Sequence, residues 1–188
     1  SPSVNISLAN AADCDSTTVS FTNTSTGGSI YAWNFGNGNT STLQNPPSET
    51  FTVPGQYNVN LIVTSNNGCT GNATEQVDVY DTPVADFIPQ NVCEDAVATF
   101  LDASTVGYGG AVDAWSLGFG DPLATTSTSQ NPTFTYIDSG SFVVTLIAST
   151  VFCSDTAFDT ILVEPRPTSS FGMSTNLGCS PLQVLFSN

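Results

Sequence analysis

Pro54-Gly55-Gln56-Tyr57-Asn58-Val59-Asn60-Leu61-Ile62-Val63-Thr64 sets Tyr57, Val59, Leu61 and Val63 on one side of an extended chain, and Asn58, Asn60 and Thr64 on the other. A period of two with β-branched residues is the pattern of a half-buried antiparallel strand. The same phase returns further along, where Phe142, Val144, Leu146 and Ala148 occupy one face of residues 142–149. Tyr57 and Phe142 are therefore counterparts in an internal repeat, and an internal repeat decides the architecture.

Working outward from these strands, the chain aligns with itself at a period of about 80 to 86 residues. Trp33 answers to Trp115, Pro83 to Pro167, Asn45-Pro46 to Asn131-Pro132, and Gly55 to Gly140. Cys14, Cys93 and Cys179 form one cysteine series, and Cys69 and Cys153 another. Cutting on this beat gives two complete repeats, 1–83 and 84–166, and the opening strands of a third at 167–188. Further strands are expected at 3–8, 17–23, 30–35, 48–53 and 73–80, with equivalents in the second repeat. Gly27-Gly28, Asn37-Gly38, Pro54-Gly55 and Asn67-Gly68 supply the turns between them. No segment carries an apolar stripe at helical spacing. About seven short strands per repeat predict an all-β fold of tandem immunoglobulin-like antiparallel sandwiches, arranged as beads on a string.

Composition excludes whole classes of function. Among 188 residues there are sixteen acidic side chains, one arginine, no lysine and no histidine, for a net charge of −15. Without a basic patch the chain has no electrostatic means of binding nucleic acid or an anionic membrane. Without histidine there is no Ser-His-Asp or Cys-His nucleophile and no imidazole metal site. Without lysine there is no Schiff base, P-loop or isopeptide staple. No apolar run reaches the eighteen residues that a membrane-spanning helix requires. A non-enzymatic role is expected.

Trp33-Asn34-Phe35-Gly36-Asn37-Gly38, followed by Phe51-Thr52-Val53-Pro54-Gly55-Gln56-Tyr57-Asn58-Val59, resembles the polycystic-kidney-disease (PKD) domain, whose hallmarks are a Trp-Asp-Phe-Gly-Asp-Gly stretch and a later Pro-Gly-x-Tyr-x-Val strand. Asn34 and Asn37 stand where the family usually has aspartates. In the second repeat, Trp115-Ser116-Leu117-Gly118-Phe119-Gly120-Asp121 sets Phe119 against the second motif aspartate. The cysteine placement resembles the PKD arrays of large secreted adhesins of Bacteroidetes-type bacteria. That resemblance implies a structural or adhesive segment of an extracellular, cell-surface filament or giant adhesin, acting as a stiff spacer. Its partners would be further PKD-like repeats or identical subunits end to end, with surface glycans as a further partner. The alternative is a non-catalytic accessory region that positions a secreted hydrolase on a carbohydrate or protein, which calls for a row of exposed aromatics.

Two cysteine pairings respect the repeat register. Within repeats, Cys14 pairs with Cys69 and Cys93 with Cys153, leaving Cys179 for a partner outside the segment. Across junctions, Cys69 pairs with Cys93 and Cys153 with Cys179. The first is favoured, since a secreted repeat of this size benefits from its own staple, worth about 4 kcal/mol in the chain-entropy model.

The remaining candidates are weaker motifs. Trp33, Tyr57, Trp115 and Phe142 fall at core positions rather than on a sugar-binding platform. Asn5, Asn23, Asn39 and Asn72 open Asn-x-Ser/Thr sequons. Ser16, Thr156 and Thr160 follow aspartates in triplets that resemble the O-glycan acceptor pattern of Bacteroidetes secreted proteins. Glu94, Asp95, Asp102, Asp113 and Asp121 are the acidic residues from which a Ca²⁺ site would be built, but no Asp-x-Asp-x-Asp-Gly loop accompanies them, so a solvated acidic face and no cofactor are expected. Asp86 with Asp155 or Asp159 offers a glycosidase-like carboxylate pair without an implied cleft. The linkers Asp81-Thr82-Pro83 and Glu164-Pro165-Arg166-Pro167 are short and stiffened by proline. The segment Leu182-Gln183-Val184-Leu185-Phe186, counterpart of Val97 to Leu101, either begins a third domain or donates a strand to a neighbour.

Overall fold

The computed structural model describes residues 1–173, 184, 186 and 187. The first eight strands are β1 (Ile6–Ala9), β2 (Ala12–Cys14), β3 (Thr17–Asn23), β4 (Ile30–Asn34), β5 (Thr40–Ser41), β6 (Glu49–Phe51), β7 (Gly55–Thr64) and β8 (Thr70–Tyr80). They form two facing sheets, β1-β3-β6 and β2-β8-β7-β4-β5. The next eight repeat the order: β9 (Phe87–Pro89), β10 (Val92–Cys93), β11 (Val97–Asp102), β12 (Ala114–Gly118), β13 (Thr126–Ser127), β14 (Thr133–Thr135), β15 (Gly140–Ser149) and β16 (Ser154–Glu164). Their sheets, β9-β11-β14 and β10-β16-β15-β12-β13, reproduce the first pair strand for strand. Two short strands, β17 (Gly172–Met173) and β18 (Phe186–Ser187), pair antiparallel. All strands belong to an all-β fold, and no helix occurs among the described residues.

Each sandwich closes on its own apolar core. In the first, Val59, Leu61 and Val63 of β7 and Val77 and Val79 of β8 pack with Trp33, Phe35, Phe21 and Phe51. In the second, Val144 and Leu146 of β15 and Ile161 and Val163 of β16 meet Leu117, Phe119, Phe100 and Tyr136. The inward residues are those the alternation selects, because successive side chains of a strand point to opposite faces. Trp33 is buried, whereas Tyr57, Trp115 and Phe142 pack half-buried against the cores.

Strand register corrects the alignment of the two tryptophans. Trp33 pairs with Leu61, while the residue paired with the equivalent Leu146 is Leu117. Trp115 lies one pleat earlier, opposite Ala148, where the first unit has Tyr31 opposite Val63. Phe119 is therefore the counterpart of Phe35, and Asp121 that of Asn37. The motif carboxylate of the second unit is not lost: Asp121 accepts from the Thr125 backbone N–H (2.7 Å) and hydroxyl (2.8 Å), closing its own turn. In the first unit, the Asn37 side chain accepts from the Asn39 N–H at 3.0 Å. Spacing between tryptophans misleads because the aromatic bulk has moved by two residues while the turn glycine has stayed.

That glycine is required. Gly36 and Gly120 both have positive φ, +81° and +71°. A Cβ would stand 2.9 Å from the Asn58 carbonyl oxygen at the first and 2.2 Å from that of Val143 at the second. Tyrosine use also trades places between units. Tyr57 donates to the Val53 carbonyl across the turn into β7, whereas its counterpart Phe142 has no hydroxyl. In the second unit the buried hydroxyl is that of Tyr136, donating to the Phe119 carbonyl at 2.8 Å.

Gly120→Ala is expected to cost the second unit on the order of 2–4 kcal/mol, since a left-handed conformation and a backbone collision are both imposed. The check is a lowered denaturant midpoint for that unit with the first unit's transition unmoved. Burial raises the Tyr136 phenol from 10.0 to about 12, assisted by the Asp121 charge. The folded form thus favours the protonated phenol, a contribution that is whole below pH 10 and is lost as pH rises towards 12. Absorbance titration of tyrosinate is expected to show Tyr136 ionising only with the unfolding of the second unit.

Candidate functional site

The most elaborate chemistry in the molecule lies where the two sandwiches meet. β2 runs parallel to the end of β8, with Cys14 in register with Tyr80. This three-residue strand carries no alternation and is not resolved by the sequence pattern, yet it delivers Cys14 to the pole from which the chain leaves the first unit. The loop between β15 and β16 brings Cys153 to meet it, and the two form a disulfide with Cα atoms 5.9 Å apart.

This pairing replaces both schemes drawn from cysteine spacing. Cys69 immediately precedes the eleven-residue β8, whereas Cys14 lies beside its last residue. At about 3.4 Å per residue the two are separated by roughly 35 Å, against the 7 Å limit for a disulfide. Cys93, in register with Glu164, is likewise one full strand length from Cys153. An intra-repeat staple is thus excluded by strand direction. The junction scheme fails as well: Cys69 sits at the pole away from the second unit, and Cys153 is already taken. Cys69 and Cys93 are exposed thiols. Cys179 lies outside the described residues.

Around the disulfide the joint is built from rings and hydrogen bonds. Tyr80 stacks on Phe152 with centroids 4.0 Å apart and planes within 5°, and approaches Tyr108 at 6.5 Å. Tyr108 sits in Gly107-Tyr108-Gly109-Gly110, whose lack of side chains lets the loop press onto the first unit. A Cβ on Gly107 would lie 2.0 Å from an Asp81 carboxylate oxygen. Asp81 and Tyr108 exchange two hydrogen bonds: the Asp81 N–H donates to the Tyr108 carbonyl at 2.8 Å, and the Tyr108 N–H donates to the Asp81 carboxylate. Asp15 accepts from the Thr82 N–H (2.9 Å) and hydroxyl (2.8 Å), pinning the linker beside the cross-link. Those bonds, the backbone one foremost, hold the Asp15 carboxyl below its ordinary value. From the other side Asp155 accepts from the Ala85 N–H at 2.9 Å. Burial among rings and the neighbouring Asp78 and Tyr108 raise the Tyr80 phenol.

Tyr80, Tyr108 and Phe152 were not singled out by the sequence, and Asp15 was read only as the aspartate of the Ser16 triplet. An aromatic inside a glycine run, and Val151-Phe152 at a loop tip beside a cysteine, are the signals that could have found them.

The other candidate residues are dispersed. Glu94 accepts from the backbone N–H groups of Ser139 and Arg166, Asp102 from the Trp115 indole and Gln130, and Asp121 from its own turn. Hydrogen bonds from Arg166 and Ser139 lower the Glu94 carboxyl. At Asp102 burial acts upward, but bonds from Ser104, Gln130 and Trp115 outweigh it and lower the carboxyl. Among the described residues no three acidic or cysteine side chains gather as a metal site would. Of the carboxylates considered as a glycosidase-like pair, Asp86 accepts from the Phe87 N–H, Asp155 from the Ala85 N–H and Asp159 from the Thr160 N–H, so each is engaged with backbone. Asn5, Asn39, Asn72, Ser16, Thr156 and Thr160 are exposed. Asn23 is half-buried and its amide is engaged, donating to the Gln44 carbonyl and accepting from the Ser25 N–H. A cleft of about 390 Å³ beside Leu123, Tyr136 and Ile137 carries two carboxylates, Asp138 and Asp121, the second of them committed to Thr125.

With this geometry in hand, the comparisons are specific for the first unit. Residues 1–79 match the family model of the PKD domain. The N-terminal unit is a PKD domain. The PKD1 domain of Vibrio anguillarum Epp is 20% identical over 46% of this chain and 99% of its own, with a TM-score of 0.41. The PKD1 domain of the Vibrio cholerae metalloprotease PrtV is 30% identical over 44% of this chain and 99% of its own, at 0.32. Immunoglobulin domains 1–4 of Sidekick-1 align over 88% of this chain and 49% of theirs, with 11% identity and a TM-score of 0.52, a likeness of fold. PKD and immunoglobulin-like modules are generally non-catalytic. PKD domains and disulfides are typical of extracellular proteins, and among the described residues no helix is long and apolar enough to cross a membrane.

Reduction of Cys14–Cys153, or Cys14→Ser, is expected to leave both sandwiches folded, since neither core contains the cross-link. Far-UV dichroism and Trp33 emission should hold while amide exchange at Tyr80–Thr82 and Tyr108 rises. Loss of either spectral signature would show that the disulfide holds the sandwiches themselves.

Proposed function

We propose that this chain is a stiff structural or adhesive spacer of an extracellular surface filament or giant adhesin. One observation carries this: the two sandwiches are joined by a disulfide, an aromatic stack and a pinned linker, so that successive units keep one relation. The pairing of β17 with β18 supports continuation into a third PKD-like unit, 167–188, after units 1–83 and 84–166. Met173 is the register partner of Phe186 as Pro89 is of Phe100. This sets Phe186, rather than Leu185, against Phe100, one residue from the alignment by sequence. Exposed Asn5, Asn39, Asn72, Ser16, Thr156 and Thr160 would carry glycans on such a surface, and end-to-end repeats or subunits would be its partners.

The accessory-region alternative calls for a row of exposed aromatics. The outer face of β15 and β16 offers one, Phe158, among Val143, Ile147 and Leu162. That face favours a modest docking contact rather than a sugar platform.

The disulfide also shapes how tension travels. Force entering at Ser1 reaches Cys14, crosses to Cys153 and continues along β16, bypassing the chain between them. Pulled from its ends, the oxidised chain is expected to unfold with a contour gain shorter than that of the reduced chain by roughly 480 Å, the 139-residue span at about 3.5 Å each. Equal extensions with and without reductant in single-molecule force spectroscopy would remove the load-bearing role. Immunogold labelling of intact cells checks the surface location, and label confined to the cell interior would overturn it.

A further inference from the structure

Each unit carries two cysteine positions, one at either pole. Cys14, the last residue of β2, is matched by Cys93, the last of β10, each in register with the last residue of its unit's longest strand: Cys14 with Tyr80, Cys93 with Glu164. The position before β16 (Cys153) is matched by Cys69 before β8. Cys14 and Cys153 are joined, whereas their counterparts Cys93 and Cys69 are exposed at the two far ends.

The surroundings of the free thiols repeat those of the joined pair. Asp15 follows Cys14 and accepts from the N–H of Thr82, two residues beyond the strand end; Glu94 follows Cys93 and accepts from the N–H of Arg166, two residues beyond Glu164. The Arg166 guanidinium adds a bond to the Glu94 carbonyl at 2.9 Å and an ion pair with Asp95 at 3.5 Å. At the opposite pole, the Thr150 hydroxyl accepts from the Cys153 N–H at 3.0 Å and the Thr150 N–H donates to the Cys153 carbonyl at 2.8 Å. Ser65 does the same for Cys69, at 3.2 and 2.9 Å. Both ends are thus prepared as the occupied joint is.

We propose that Cys93 and Cys69 are the two halves of further pole-to-pole disulfides. Cys93 bonds the loop cysteine of a unit of this same repeat packed beyond the second sandwich. Cys69 bonds the cysteine that ends the second strand of a unit packed before the first. In each bond two thiols lose two protons and two electrons to a disulfide oxidant, which leaves as two thiols. The joints differ in one respect: Glu164 replaces Tyr80 and Gly68 replaces Phe152, so the cross-link there acts without that ring stack. By sequence register Cys179 holds the Cys14 position of the next unit. The proposal rests on the spacer function, but its test does not.

The native polypeptide is alkylated with iodoacetamide without reduction, digested with pepsin at acid pH to suppress exchange, and mapped by mass spectrometry. Cys69 and Cys93 are expected to resist alkylation until reduced. Cys93 is expected in a disulfide with a loop cysteine: Cys69 of a second copy if units join between chains, the matching residue further along if they join within one. Recovery of both as alkylated thiols, or as Cys69–Cys69 and Cys93–Cys93 pairs, overturns the proposal. Such a result leaves the spacer function standing if the protein is found on the surface, whereas interior location removes that function whatever the map shows.

Discussion

The parallel pairing of Ala12–Cys14 with Asp78–Tyr80 is the constraint on which the rest of the molecule depends. Had β2 continued the direction of its neighbours in the antiparallel sheet, Cys14 would have faced another part of its own sandwich. By lying along the end of β8 it carries a thiol to the exit pole, beside the residue where the chain departs. The disulfide, the stack on Tyr80 and the Asp15 clamp on Thr82 all follow from that placement. The same pairing recurs between β10 and the end of β16, where Glu94 clamps the Arg166 N–H as Asp15 does that of Thr82.

Stability and connection are thereby separated. Each core is closed by β-branched and aromatic side chains from both sheets, as the alternation of 57–64 and 142–149 requires, and no cross-link stiffens it from within. Cys14 and Cys153 serve the joint instead. A small secreted domain usually spends its disulfides on its own fold because its core is limited. Here the aromatic cluster of Phe21, Trp33 and Phe35, and its equivalent of Phe100, Phe119, Phe134 and Tyr136, leaves the cysteines free for another task.

The sandwich class, the repeat and the main inward faces were legible in the sequence because each is a local pattern: period-two alternation, turn glycines, recurring proline and cysteine. The joint was not. Which cysteines meet depends on strand direction and on which pole each loop occupies, quantities that spacing along the chain does not contain. Trp33 and Trp115 drew the eye as equivalents because tryptophan is rare, yet hydrogen-bond register follows Leu61 and Leu146 and separates them by two residues. Tyr80, Tyr108 and Phe152 gain their meaning only from facing one another across two units. A sequence read one repeat at a time assigns them to ordinary surface.

The choice of forces at the joint follows from the composition. With no lysine, no histidine and a single arginine, ion pairs cannot hold units whose net charges are both negative. Repulsion between like-charged units is largely screened beyond about 8 Å at physiological ionic strength, so it acts only near contact and supplies no preferred orientation there. Orientation therefore falls to interactions that need no cation: ring stacking, backbone amides donating to carboxylates, and a covalent bond. Carboxylates that would repel each other across the joint are consumed as acceptors, Asp15 by Thr82, Asp81 by Tyr108 and Asp155 by Ala85. The contact is heterologous, one pole meeting the opposite pole, and such contacts propagate as open strings unless the rotation closes a ring. In a chain so acidic and so poor in cations, the groups that repel one another are thus also the ones that fasten its linkers.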